Sequence, residues 1–353
     1  YESYSEDPEL VKVFSRAMVE GLQGEASGRD FLNEQRVVAT AKHFLADGGT
    51  LGGDDQGDAR ISEAQLIDIH NPGYPVAIDA GVLSIMASFS SWNGEKMHGN
   101  QYLLTDVLKK RMGFEGLVVG DWNGHGQVPG CTNDSCAQAI NAGVDLLMVT
   151  SDWKAMINNT LAQVKNKEID VARIDDAVLR ILRVKLIAGL FDKKPSQRAL
   201  AGDQSLIGHA DHRAVARQAV RESLVLLKNK NRVLPIKPQA RILLAGDGAD
   251  NIGKQSGGWS VSWQGTGNTN ANFPGATSIY GGIKQAATLA GGKVELAVDG
   301  KYQQKPDVAV VVFGENPYAE GNGDLDSLEF EPVEKPNLAL LKKLKADGIP
   351  VVS

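Results

Sequence analysis

Up to about residue 191 the chain alternates short apolar runs with amphipathic stretches. The runs fall at 37–44, 82–89, 116–121 and 144–149 and read as strands. Apolar residues recur at helical spacing over 103–111 and 171–188, between or after those runs. That order predicts parallel βα units. At the C-terminal end of each run stand polar residues able to do chemistry: Lys42 and His43, Ser88, Asp121 and Trp122, and Thr150. A (β/α)₈ barrel builds its site from the loops after its strands, so the pattern predicts part of such a barrel. Four strands are legible where closure takes eight, and the barrel is expected to start upstream of Tyr1.

The polar, Pro- and Gly-containing stretch 192–210 reads as a linker. Beyond it a helical pattern over 211–222 leads into SLVLLK at 223–228. Apolar runs at 241–245, 294–298, 308–313 and 349–352 then alternate with helical segments at 281–290 and 335–346. This is α/β again, an open sheet with helices on its faces. The chain stops at Ser353 with no turn or cap after a strand, so both ends are expected to be cuts.

Composition enters mainly by exclusion. The net charge of −6, with no Lys/Arg block interleaved with aromatics, leaves no polyanion footprint, so nucleic acid is not an expected partner. No stretch approaches the roughly 18 uninterrupted apolar residues of a membrane span, and YESYSEDPELV has no signal-peptide pattern. The cysteines, Cys131 and Cys136, can close a disulfide across CTNDSC; two free thiols are the alternative. A disulfide is favoured and implies an oxidising compartment. The loop has too few ligands for a metal.

Four clusters can carry chemistry. In GLVVGDWNGHG, residues 116–126, a strand delivers Asp121 beside Trp122, with glycines that let the backbone bend and a ligand approach. A carboxylate next to an indole suits a pyranose, whose apolar face packs on the ring while the carboxylate reaches the anomeric carbon. Taken alone, such an Asp is more often a helix cap. In TAKHFLADGGTLGGDDQGD, residues 40–58, Lys42 and His43 precede a loop with Asp47, Asp54, Asp55 and Gln56; they can bond sugar hydroxyls, or the loop is merely solvated. In VVVFGENPYAEGNGDLDSLEF, residues 310–330, Glu315, Glu320, Asp324, Asp326 and Glu329 follow a strand, and Glu320 is the candidate acid. In QSGGWSVSWQGTGN, residues 255–268, Trp259 is expected to pack inward and Trp263 to face a ligand.

A rival motif, Gly246, Gly248 and Gly253 after the strand RILLA, has GxGxxxxG spacing where a dinucleotide fingerprint has GxGxxG. No acidic residue ends a second strand about 20 residues on, which argues against a nicotinamide enzyme.

Together the motifs resemble glycoside hydrolase family 3, most closely its β-glucan exohydrolase and β-glucosidase branch. The resemblance rests on YESYSEDP, AKHF, SSWNG, GFEGLVVGDW, CTNDSCAQAINAGVD, RILRVKLIAGLFD, SLVLLKN, GGWSVSWQG and GENPYAEGNGD, in that order. It implies the C-terminal part of a (β/α)₈ barrel over 1–191 and the first part of an α/β sandwich domain over 211–353, with the site in the groove between them. It carries the catalytic nucleophile onto Asp121 and the acid/base onto Glu320. It makes Lys42 and His43 ligands of the non-reducing-end glucose, lines that pocket with Met86 and Phe89, and assigns Trp122 and Trp263 to a slot gripping the next sugar.

Two departures matter. An Asp and an Arg of the family pocket would lie upstream of Tyr1, so this segment alone is expected to be inactive. Where relatives place a Glu after GGT, this chain has Asp54, Asp55 and Gln56. The N-acetylglucosaminidase branch, which uses an Asp-His pair after KHF, is disfavoured because that loop has no His here.

The resulting expectation is a secreted, periplasmic or extracellular enzyme. It would release glucose from β-1,3- and β-1,4-glucans and oligosaccharides with retention of configuration, needing no metal or organic cofactor. The alternatives are a non-catalytic β-glucan-binding module and a family member that uses phosphate in place of water.

Overall fold

Asp7 starts the first helix, α1 (Pro8–Gln23). Its carboxylate accepts the Glu9 N–H at 2.9 Å, and Pro8 takes the first helical position, where a missing N–H costs nothing. At the other end Gln23 is fully buried. Its side-chain oxygen accepts from the backbone N–H groups of Ala39 (3.0 Å) and Leu83 (3.3 Å), and its amide donates to the Gly81 carbonyl (2.7 Å). One side chain thus satisfies the backbone at the entrances to two strands. The computed structural model describes residues 3–331 and 333–353, which fall into two compact units that divide between Asp203 and Gln204.

The strands of the first unit are β1 (Thr40–Phe44), β2 (Asp58–Ala59), β3 (Ser84–Ala87), β4 (Ser91–Trp92), β5 (Glu95–Lys96) and β6 (Leu117–Val119). β1, β3 and β6 form a parallel sheet in that order, so their C-terminal ends, carrying His43, Ser88 and Asp121, share one edge. Phe44, Ile85 and Val118 enter the main core with Leu104, Leu108 and Phe114. After α1 the helices of this unit include α2 (Glu63–Gln65), the π-wound Leu66–His70, α3 (Gly73–Asp79), the π-wound Tyr102–Arg111, α4 (Ala137–Ala142), α5 (Trp153–Lys165) and α6 (Val171–Ile187). α6 lays Ile181 and Val184 on Leu117 and Val119. SSWNG has a local reason: Asn93 and Gly94, at φ 50° and 88°, make the two-residue turn between β4 and β5, and the Gly94 N–H donates to Asp58 at 2.8 Å. Cys131 and Cys136 are disulfide-bonded, with Cα atoms 4.8 Å apart.

The run 144–149 runs beside β6 without becoming a strand, meeting it in one parallel bridge, Val119 with Leu146. The cause is Asp145, whose carboxylate accepts the Val118 N–H at 2.8 Å in place of a backbone carbonyl. That carboxylate is fully buried and also holds Lys109 at 2.7 Å and the Arg173 guanidinium, while the Lys109 side chain is itself 4% exposed. Removing one partner strands the other charges, and Asp145→Ala is expected to cost about 3–5 kcal/mol. Denaturant unfolding at neutral pH measures it; a loss below about 1 kcal/mol would place the site among surface pairs.

The second unit contains α7 (Ala210–Ser223), β7 (Arg241–Ala245), α8 (Ile252–Ser256), α9 (Ile279–Leu289), β8 (Lys293–Leu296), β9 (Val308–Val311), α10 (Pro336–Ala346) and β10 (Val351–Val352). Its sheet is parallel, in the order β10-β9-β7-β8. Ile242, Leu244, Val308 and Val310 pack on one face with Ala287 of α9; Leu243, Ala245, Ala309 and Val311 pack on the other with Leu344 of α10. Covered on both faces, RILLA and VAVV are apolar throughout and do not alternate. Both units are therefore α/β with parallel sheets. The rival glycines also find an explanation here. A Cβ on Gly246 would stand 2.1 Å from the Val312 carbonyl oxygen and one on Gly248 would stand 3.1 Å from Val312 Cγ1, so both are small because the chain after β9 crosses them.

Candidate active site

In the first unit Asp121 lies two residues past β6 with its side chain 15% exposed. Its Oδ1 accepts the Trp122 N–H at 2.6 Å, and its Oδ2 stands 3.5 Å from His43 Nε2. His43 Nδ1 is 2.9 Å from Asp47 Oδ2, so the imidazole sits between two carboxylates. Burial pushes the Asp47 carboxyl up, but its hydrogen bond to His43 and the charges of His43 and Lys42 together hold it below the usual carboxylate range. Lys42 is exposed next to His43.

Beside Asp121, Trp122 presents its indole with 64% of the residue exposed. Met86 is in register with Val119, two residues before Asp121, and is half-buried against Leu117 and Val119. Phe89 is half-buried, its ring 6.1 Å from that of His98. The first unit thus gathers His43, Phe89 and Asp121 at one sheet edge. The loop after His43 contributes Asp47. Gln56 instead takes the side-chain amide of Gln127 at 2.7 Å, and Asp58 takes the Gly94 N–H and Arg60.

His98 is the residue that sequence reasoning missed. It is 1% exposed, and its Nε2 accepts the backbone N–H of Asp121 at 2.9 Å. The Ser88 backbone also lies close enough to the ring to favour its protonated form. With Nε2 accepting, Nδ1 carries the proton. Burial, joined by the nearby charges of His125, Lys96 and His43 and opposed by the Ser88 backbone, lowers this imidazole to about 4, and it is neutral at ordinary pH. The glycines around Asp121, expected to admit a ligand, make room for His98: a Cβ on Gly124 would stand 2.4 Å from its Cε1, and one on Gly120 would stand 3.3 Å from its Nε2. The signal available was a lone His in KMHGN, too weak to separate from a core histidine.

In the second unit the Trp263 indole N–H donates to Glu320 Oε2 at 3.0 Å. Glu320 is half-buried, has φ 54°, and opens a 3₁₀ turn, Glu320–Gly323. The Ala319 N–H donates to the Gln264 side chain at 2.8 Å, and a Cβ on Gly258 would stand 2.1 Å from the Tyr318 carbonyl oxygen, so the two loops touch backbone to backbone. Among the other acids of the loop, Glu315 accepts the Tyr318 hydroxyl at 2.7 Å and Glu329 pairs with Lys335. Trp259 does not pack inward: it is 57% exposed against 55% for Trp263, at 6.4 Å between ring centroids. At φ 57°, with its N–H bonded to the Trp263 carbonyl, Trp259 sits on a tight loop whose indoles both face outward.

Two family models match the chain: the glycosyl hydrolase family 3 N terminal domain over residues 1–184 and the glycosyl hydrolase family 3 C-terminal domain over 224–353. A lysosomal beta glucosidase of Dictyostelium discoideum is 34% identical, the match covering all of this chain and 45% of that protein. A periplasmic beta-glucosidase of Salmonella typhimurium is 30% identical over 74% of this chain and 34% of its own length. Among solved structures, an exo-1,3/1,4-beta-glucanase from a Pseudoalteromonas species matches with TM-score 0.98 and 56% identity over 100% of this chain and 44% of that one. A beta-glucosidase from Listeria innocua in complex with glucose matches with TM-score 0.83 and 28% identity over 99% and 48%. The chain spans less than half the length of each of these relatives.

Proposed function

Because the chain belongs to glycosyl hydrolase family 3, we propose that the full-length protein is a retaining, exo-acting β-glucosidase or β-glucan exohydrolase. It releases glucose from the non-reducing end of β-1,3- and β-1,4-glucans and their oligosaccharides. The observation that carries this is the setting of Asp121, a carboxylate at a parallel strand end with one oxygen oriented by the Trp122 N–H and the other turned toward His43. The likeness to an exo-1,3/1,4-beta-glucanase at 56% identity supports the substrate class. In this reading the first unit is the C-terminal part of a (β/α)₈ barrel and the second the first part of an α/β sandwich domain. The disulfide and the periplasmic relative support an exported enzyme.

In the first step the Asp121 carboxylate attacks the anomeric carbon as the glycosidic C–O bond breaks, and the departing oxygen takes the proton of Glu320. In the second, Glu320 takes a proton from water, whose oxygen displaces Asp121 and leaves β-glucose. Lys42 and His43 bond the hydroxyls of the cleaved glucose, Met86 and Phe89 line its apolar face, and Trp122 and Trp263 stack on sugar rings. Incubation with a 2-deoxy-2-fluoro glucoside is expected to trap the first intermediate, with peptide mapping finding the label on Asp121. Label on another residue would overturn the assignment.

A further inference from the structure

We propose that His98 is a positioning residue for the nucleophile: by accepting the Asp121 N–H it fixes the backbone that aims the Asp121 carboxylate. The proposal rests on the reading of Asp121 as nucleophile. The direction of a short carboxylate side chain follows from its own backbone torsions and two further rotations, so a carboxylate can be aimed only as well as its main chain is held. Here the main-chain N–H of Asp121 is held by a ring that is 1% exposed and packed against Gly124. One nitrogen of His98 bonds the Asp121 backbone after β6, and the Phe89 ring, from the loop after β3, stands 6.1 Å from the imidazole. The imidazole therefore sits between the loops that follow two neighbouring strands, bonded to the one that carries Asp121 and packed against Phe89 of the other. Gly124 closes on the ring from the Asp121 side, where a Cβ would stand 2.4 Å from Cε1, and Gly120 leaves room for one only in tight contact, 3.3 Å from Nε2. With the amide fixed by His98 and Oδ1 fixed by the Trp122 N–H, Oδ2 is left turned toward His43. His98 touches no reacting atom in this arrangement and acts only through Asp121.

Three variants of the full-length protein separate positioning from mere packing. In His98→Gln the side-chain oxygen reaches the place of Nε2 and still accepts the Asp121 N–H. The shorter side chain of His98→Asn reaches only the place of Nδ1, and His98→Leu fills the space with no acceptor. The rate of fluoro-glucosyl trapping and kcat on an aryl β-glucoside are expected to fall by about a hundredfold in the Asn and Leu variants, the size of effect that a misplaced catalytic group produces. KM should change little, and Gln should recover most of the loss. Rates are normalised to the folded fraction from circular dichroism; if Leu does not fold, the contrast of Gln with Asn decides. Trapping at the native rate in Asn or Leu, or no advantage of Gln over Asn, would overturn the role of His98. Label on a residue other than Asp121 in the unmutated protein would instead overturn the reading on which the role rests.

Discussion

Asp121→Ala is expected to lower kcat of the full-length protein on an aryl β-glucoside by a factor on the order of 10⁴ to 10⁶, as loss of an essential nucleophile does in other covalent mechanisms. The side chain stands over the end of β6 with 15% exposure, facing His43 and not the apolar core, so the substitution removes chemistry at little cost to folding. What it takes away is the carboxylate that the Trp122 N–H and His43 orient. Azide added to this variant should occupy the emptied face of the sugar and give the α-glucosyl azide, the inverted product, because the single remaining displacement comes from the side that Asp121 formerly took. A kcat within tenfold of the native value, with no azide adduct, would remove Asp121 from the mechanism. Asp121→Asn refines the test. The amide keeps the volume and an acceptor for the Trp122 N–H, so any activity lost beyond a change of binding belongs to the missing charge.

What can be read in advance follows from how local each cause is. β7 and β9 are legible because both of their faces are buried, and continuous apolar runs such as RILLA and VAVV have few other uses. Asp121 is legible because a carboxylate directly after an apolar run, next to a tryptophan, is a short-range pattern. The run 144–149 misleads because its failure to become a strand depends on Asp145, whose partners Lys109 and Arg173 lie tens of residues away. Gly124 reads in sequence as room for a ligand from solvent, whereas its reason is a ring 26 residues earlier in the chain, His98. The inward expectation for Trp259 follows the general habit of paired tryptophans. The tight loop that turns both indoles outward is set by positive-φ backbone, which composition does not announce.

Glu320→Ala is the second large effect, and its form matters more than its size. A general acid contributes about 10² to 10⁴, but only where the leaving group needs a proton. The variant should therefore lose that range on laminaribiose or an alkyl glucoside, whose departing alkoxides are strongly basic. It should lose far less in bond cleavage on a dinitrophenyl glucoside, whose anion leaves unaided. With that activated substrate the glycosyl-enzyme should accumulate, because water now lacks its base, and azide, which needs none, should speed turnover and give the β-glucosyl azide. The anomer is thus opposite to that from Asp121→Ala, and the pair of products identifies which carboxyl does which task. Trp263 offers an internal control. Its indole N–H donates to Glu320 Oε2 at 3.0 Å, so Trp263→Phe keeps a smaller aromatic face for stacking and removes that bond. If Glu320 is the acid/base, Trp263→Phe should shift the same leaving-group dependence by a smaller amount in the same direction. An unchanged dependence in Glu320→Ala itself would move the role to another acid of the loop. Glu315, held by the Tyr318 hydroxyl, and Glu329, paired with Lys335, are each committed to a structural partner and fit that role less well.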